Sequence, residues 1–166
     1  MLSAAKYLMA VTAIAAAASG AHALCIYDGV DNAKTTIPQE FRDSQWVVRA
    51  KVLSATDHWS DVDDSWTTYE LKVEHAYKGS PPQRLRFFTF RDSGGFYMDR
   101  PWLKLPQGHD IGGEYLLFLI PFPVAKGEPS QTKGAVFVNY SCGLSGPWNN
   151  VSPSARNMLD KLERAR

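Results

Sequence analysis

The sequence has no excess of charge of either sign, little cysteine or histidine, and no long apolar run beyond its N-terminus. Lys and Arg number 18 against 17 Asp and Glu. Lys6 is the only charged side chain in residues 1–23, so loss of that segment leaves 17 of each sign. A formally neutral chain lacks the basic surface that displaces counterions from phosphates, which excludes non-specific nucleic-acid binding as a reading. The longest later apolar run, residues 115–120, has six members. A membrane-spanning helix needs roughly 20, so no stable membrane anchor is expected. The two cysteines and four histidines make no C-x-x-C, H-x-H or H-E-x-x-H pattern, which leaves dithiol redox and zinc-protease chemistry without their ligands. A G-x-S-x-G nucleophile elbow is also missing; residues 143–146 (G-L-S-G) fall short of it. The chain is therefore read as a non-enzyme, with no metal and no cofactor.

The N-terminus has the pattern of a secretory signal peptide. Lys6 precedes an apolar stretch of 12 residues (7–18), and Ala21-His22-Ala23 has the small-x-small form of a cleavage site. Twelve residues make a helix of about 18 Å, too short for a bilayer core of roughly 30 Å. Residues 1–23 are expected to be removed, leaving residues 24–166 as one exported domain, periplasmic or extracellular. In an oxidising compartment the two cysteines, Cys25 and Cys142, predict one disulfide. With 116 residues between them, the chain-entropy model gives such a bridge roughly 4–5 kcal/mol.

Alternation and turn residues place five strands. Residues 46–55 (W-V-V-R-A-K-V-L-S-A) set Val48, Ala50 and Val52 against Val47, Arg49 and Lys51. Residues 67–77 set Tyr69, Leu71, Val73 and His75 on one face, which makes His75 a hydrogen-bonded core residue in this reading. A Gly-Ser-Pro-Pro break leads to a third strand, 85–90 (L-R-F-F-T-F), whose phenylalanines read as barrel core. Residues 96–111 form a long structured loop. Residues 115–120, and the stretch ending at Cys142, supply the fourth and fifth strands. Thr36 before Ile-Pro predicts a short helical turn, and Ser152 before Pro153 predicts the cap of a closing helix with Ala155, Met158, Leu159 and Leu162 on one face. The class is mainly β: a five-stranded Greek-key barrel of the OB kind with a C-terminal α-helix.

Residues 57–66 (D-H-W-S-D-V-D-D-S-W) are the most unusual surface stretch. Asp61, Asp63 and Asp64 supply hard oxygen atoms. Counted from Asp61, however, the sixth position is Trp66 and the twelfth is Lys72, so the EF-hand pattern fails and no metal is assigned. Trp59 and Trp66, with these aspartates, are instead candidates for contact with a protein partner.

Three stretches resemble the N-terminal domain of tissue inhibitors of metalloproteinases and the related netrin-like modules. They are W-V-V-R-A-K-V with Y-E-L-K-V-E-H-A-Y-K-G, then G-E-Y-L-L-F-L, and then residues 142–152 (C-G-L-S-G-P-W-N-N-V-S) leading into a helix with Arg156. The resemblance implies a closed five-stranded barrel with helices packed on it. It also implies a cysteine after the last strand tied to the N-terminal segment, with Trp148, Asn149 and Ser152 as a structural motif. In that family the mature chain begins Cys-x-Cys and its first cysteine chelates the protease's zinc. Here Cys25 matches the second cysteine, and Ala23 stands where the first would be. The expected function is thus a disulfide-tied module that contacts a protein partner through rim loops, with Leu24, Cys25 and Ile26 as further contact candidates. Metalloproteinase inhibition and an unrecognised hydrolase are the alternatives.

Overall fold

A computed structural model describes residues 25–60, 65–91, 95–101, 103–123 and 125–165. Leu24, Asp61, Asp63 and Asp64, and the whole expected signal peptide, lie outside the described residues.

A small hairpin opens the chain, with β1 (Ile26–Tyr27) pairing antiparallel with β2 (Val30–Asp31). Asp28 and Gly29 turn it at φ of 49° and 76°, the double positive φ that a two-residue turn of the hairpin type demands. Helix α1 (Ile37–Asp43) follows. Thr36 Oγ1 accepts from the Gln39 N–H at 3.4 Å, and Pro38 sits in the first turn, where its missing N–H costs nothing. At the other end Lys78 Nζ donates to the carbonyls of Phe41, Arg42 and Ser44, each at 2.7 Å. That places a cation on the negative pole of the helix.

The barrel consists of β3 (Trp46–Trp59), β4 (Ser65–Lys78), β5 (Arg84–Phe90), β6 (Glu114–Pro121) and β7 (Val136–Val138), with β8 (Gly146–Pro147) added outside β6. The strands run β3-β4-β5-β7-β6, and β6 pairs back onto β3 to close the ring. All these pairs are antiparallel except β5–β7, which meets in parallel at Phe87 and Val136. This is a closed five-stranded mixed barrel of the OB type. Inside it lie Val48, Ala50, Val52, Tyr69, Leu71, Phe87, Met98, Tyr115, Leu117 and Leu119. Outside, α1 and the closing helix α2 (Pro153–Arg164) cover a second cluster of Phe41, Val47, Tyr77, Leu116, Phe118 and Leu159. Ser152 caps α2 by accepting from the Ala155 N–H at 3.2 Å.

Bulges in the β3–β4 ladder decide which side chains face in. Arg49 pairs with His75 but Ala50 with Val73, so Glu74 is an extra residue on β4 and inward parity shifts from Val73 to Ala76. His75 is therefore turned out, against its predicted place in the core. It is exposed, and its Nε2 lies 3.0 Å from a Glu163 carboxylate oxygen on α2. A second bulge has Val52 opposite Leu71 and Ser54 opposite Glu70, with Leu53 extra on β3. It turns Ala55 and then Asp57 inward, opposite Tyr69 and Thr67. Both strands also run further than alternation predicts, so Asp57, Trp59, Ser65 and Trp66 belong to strands and not to the hairpin loop.

Candidate functional site

The Leu53 bulge aims Asp57 into the barrel mouth, where it meets residues brought from far along the chain. Arg91 follows β5, and Asp99 and His109 face each other as an isolated antiparallel bridge in the long loop. Arg91 grips Asp99 through two nitrogens, Nη1 to Oδ2 at 2.6 Å and Nη2 to Oδ1 at 3.2 Å, while its Nε donates to Thr67 Oγ1 at 2.6 Å. Thr67 Oγ1 donates to Asp57 Oδ1 at 2.5 Å. His109 stands between the carboxylates, with Nδ1 2.8 Å from Asp99 Oδ1 and Nε2 3.1 Å from Asp57 Oδ2. The Tyr69 hydroxyl donates to Asp99 Oδ1 at 3.1 Å and accepts from the Met98 N–H at 3.3 Å, and the Met98 side chain plugs the barrel with no exposed surface.

The electrostatics follow from this packing. Burial pushes the Asp99 carboxyl up, but hydrogen bonds from Arg91 and His109 outweigh it and hold the group below the usual range. Asp57 is held low in the same way, by Thr67 and His109 against its own partial burial. Burial, with Asp99 nearby, pushes the Tyr69 phenol far up. The mouth is thus a set of ionised carboxylates and committed donors that staples the long loop to the β3–β4 hairpin.

Beside this network lies a pocket of about 380 Å3 lined by Asp57, His58, Trp59, Trp66, Arg91 and His109, among others. Trp59 is 80% exposed at its edge. Trp66 is 8% exposed, stacks on His58 at 5.6 Å and packs against Phe88 and Ala135 on the outer face of the barrel. The two tryptophans therefore differ: one folds onto the barrel and the other does not.

The second candidate region is the disulfide. Cys25 and Cys142 are bonded, with Cα atoms 6.0 Å apart, and among the described residues no cysteine is free. Cys25 packs with Tyr27 and Tyr140. The Tyr27 hydroxyl donates to Asp43 Oδ2 at 2.6 Å, and its pKa is pushed up to about 12 by burial and then by that carboxylate. The Tyr140 hydroxyl donates to the Ala33 carbonyl at 3.1 Å. Glu40, fully buried in α1, accepts from the Leu144 N–H at 2.9 Å and from the Thr35 hydroxyl, while Gly143 packs so close that a Cβ there would overlap its carboxyl. On this braced backbone Ile26 is 59%, Val30 57% and Leu144 40% exposed. Leu144 shares a cleft of about 390 Å3 with residues 32–35. The Cys25 carbonyl accepts from the Asn32 N–H at 2.6 Å, and its own N–H donates to Asn32 Oδ1 at 3.4 Å. Both backbone polar groups of Cys25 are thus engaged by Asn32.

Two guanidinium groups lie over the Trp148 ring, with Arg49 Cζ 4.9 Å and Arg156 Cζ 4.5 Å from its centroid. Arg156 also donates to the Trp148 and Val151 carbonyls at 3.0 and 3.1 Å. Asn149 lines a broad cleft of about 830 Å3 between the long loop and residues 147–150.

Of the predicted contact residues, Cys25 and Ile26 sit at the disulfide and Trp59 and Trp66 at the hairpin, in separate packing clusters. Sequence reasoning missed Asp57, Arg91 and Asp99 as partners of His109. Asp110, the neighbour that sequence proximity offers to His109, instead accepts from the Tyr115 hydroxyl at 3.1 Å. The usable signal was an arginine directly after an aromatic strand followed by an Asp and a His ten residues apart, a spacing that fits a folded-back loop. Among the described residues no group of three metal-ligating side chains is placed to hold a metal ion, and no helix is long and apolar enough to cross a membrane. No model of a known protein family matches the chain, and no curated protein matches it.

Proposed function

We propose that the chain is an exported binding module that docks a protein partner on the ridge around its disulfide. One observation carries the reading: Ile26 and Leu144 are exposed apolar side chains on a backbone fixed from several directions. The Cys25–Cys142 bond, the Tyr27–Asp43 and Tyr140–Ala33 hydrogen bonds and the Glu40 clamp on Leu144 hold that backbone before any partner arrives. Apolar groups carried on a backbone already ordered in the free protein spare the cost of ordering that backbone on binding, which helps a small patch act as an anchor. Export is supported by the disulfide, a bond that persists in oxidising compartments, and by the signal-like composition of residues 1–23.

The resemblance to tissue inhibitors and netrin-like modules fits this reading. A barrel tied by a cysteine to its N-terminal segment, followed by Trp148 and a serine-capped helix, supports it. Zinc chelation does not gain the same support, because the backbone groups of Cys25 are engaged by Asn32. The ridge is therefore read as a docking surface that works without a metal.

The test immobilises the mature chain, its Ile26→Asp variant and its Leu144→Asp variant, and passes exported proteins over each. One species retained by the parent chain and released by both variants is the expected result. Hydrolytic turnover that disappears with His109→Ala overturns the reading in favour of an enzyme.

A further inference from the structure

We propose that the tongue formed by residues 100–108 docks this protein on the surface of a lipid bilayer, through shallow and reversible insertion of Leu103 and Leu105. The tongue lies apart from the disulfide ridge and does not depend on the docking reading. Its root is fixed. Asp99 and His109 face each other as a bridge, and the Arg100 N–H donates to the Gly108 carbonyl at 2.9 Å. Arg91 and Asp57 then tie Asp99 and His109 to the barrel. Beyond the root, every described residue from Pro101 to Gly108 is exposed, with Leu103 at 76% and Leu105 at 81%. Two leucines are thus held in water on a projection that the described residues leave uncovered.

The tongue is also closed on itself. The Pro101 carbonyl accepts from the Lys104 N–H at 2.7 Å, the Lys104 carbonyl from Gln107 Nε2 at 3.4 Å, and the Pro106 carbonyl from Arg100 Nη1 at 3.0 Å. Pro101 and Pro106 bring no N–H. A loop that stays in water has no need to satisfy its own carbonyls, because water does so. A loop that enters an apolar phase must satisfy them, since each bare polar group there is expensive. This observation favours a bilayer over a protein partner, whose interface supplies polar groups and bridging water of its own.

The charges agree. Residues 100–108 hold Arg100 and Lys104 and no acidic residue, so no carboxylate has to be carried to the lipid. Arg100 is turned back on the Pro106 carbonyl, with its Nε 4.0 Å from Asp110 Oδ1. Lys104 stands between the two leucines in sequence, and its apolar stem can follow them while the ammonium group stays at headgroup level. With one such cation, apolar area drives the attachment more than anionic lipid does, and no spanning segment is needed.

The experiment floats the mature chain on density gradients with vesicles of phosphatidylcholine alone, and of phosphatidylcholine mixed with phosphatidylglycerol. The protein should rise with both, and the anionic lipid should add no more than about fivefold to the partition, the effect of one cation. Leu103→Ser combined with Leu105→Ser, a neutral change, should cut the partition about tenfold or more with either vesicle. Ile26→Asp should leave it unchanged, which separates the tongue from the ridge. The two leucines are exposed, so the double variant should unfold at the parent temperature, and a loss then reports on the tongue. Four results overturn the proposal: no vesicle floats the protein, the double variant floats like the parent, flotation requires phosphatidylglycerol and is lost with Lys104→Gln alone, or the double variant abolishes a dimer seen by sedimentation equilibrium while the parent does not float. The last result assigns the tongue to a second copy of the chain.

Discussion

Replacing Glu40 tests how the ridge is held. Its carboxyl is wholly buried in α1, with one oxygen accepting from the Leu144 N–H at 2.9 Å and from Thr35, and the other without a partner. Burial raises its pKa, and the two hydrogen bonds only partly offset that. The native chain therefore holds this proton more tightly than the unfolded chain, where glutamate titrates near about 4.3. The stabilising contribution of the protonated group is complete below that value and is lost as pH rises through the higher native pKa. Glutamine cannot ionise, yet it keeps an oxygen for Leu144. Glu40→Gln should thus gain on the parent as pH rises from about 4 to 7, by about 1.4 kcal/mol for each unit by which the native pKa is raised. Glu40→Ala removes the acceptor and leaves a void, so it should lie about 2–5 kcal/mol below Glu40→Gln at every pH. Urea unfolding at several pH values, with the slope checked for constancy, reads both effects. Parallel pH profiles for parent and Glu40→Gln, or an alanine variant as stable as the glutamine one, would refute the reasoning.

The remaining predictions bear on the same scaffold. Gly143→Ala drives a Cβ into the Glu40 carboxyl and should cost about 1–3 kcal/mol by thermal unfolding. Breaking the Cys25–Cys142 bond, which closes a separation of 117 residues, should remove about 4–5 kcal/mol, and the native protein should titrate no thiol until reduced. Lys78→Met deletes three charge-assisted bonds to the end of α1 and should cost about 1.5–3 kcal/mol in chemical unfolding. Arg156→Lys loses the planar stack on Trp148 and the fork to two carbonyls, and should lower stability by about 1–2 kcal/mol on calorimetry.

Much of the fold could be read from local pattern. Val48, Ala50 and Val52 alternate as a buried face and are one, and Thr36 and Ser152 read as helix caps and cap helices. Cysteine count alone pointed to the Cys25–Cys142 bond. What failed were the places where alternation breaks. No residue type marks Glu74 or Leu53 as the extra one in a bulge, because a bulge is chosen by the ladder as a whole and by strain around the closed barrel. His75 is misplaced for that reason, and Asp57, which sequence alone leaves in a surface stretch, faces the barrel mouth. The Asp28-Gly29 pair is a strong short-range hairpin signal, but the two-residue strands beside it are too brief to show alternation. The mouth network joins Asp57, Arg91, Asp99 and His109 across 52 residues, and only the folding of the long loop over the plug at Met98 brings them together. The ridge, likewise, depends on which apolar residues are left exposed. Ile26 and Leu144 look no different in sequence from Leu116 and Leu117, which are buried.

The docking ridge is the central claim, and the most direct measurement is the affinity of a partner recovered from the exported fraction for three forms of the mature chain. Calorimetry should give saturable one-site binding to the parent. Leu144→Asp should weaken it at least tenfold, or about 1.4 kcal/mol. Met158→Asp, which alters a side chain 39% exposed on α2, should leave it unchanged. Equal affinity for the parent and Leu144→Asp, or a loss confined to Met158→Asp, would place the binding surface elsewhere and contradict the account.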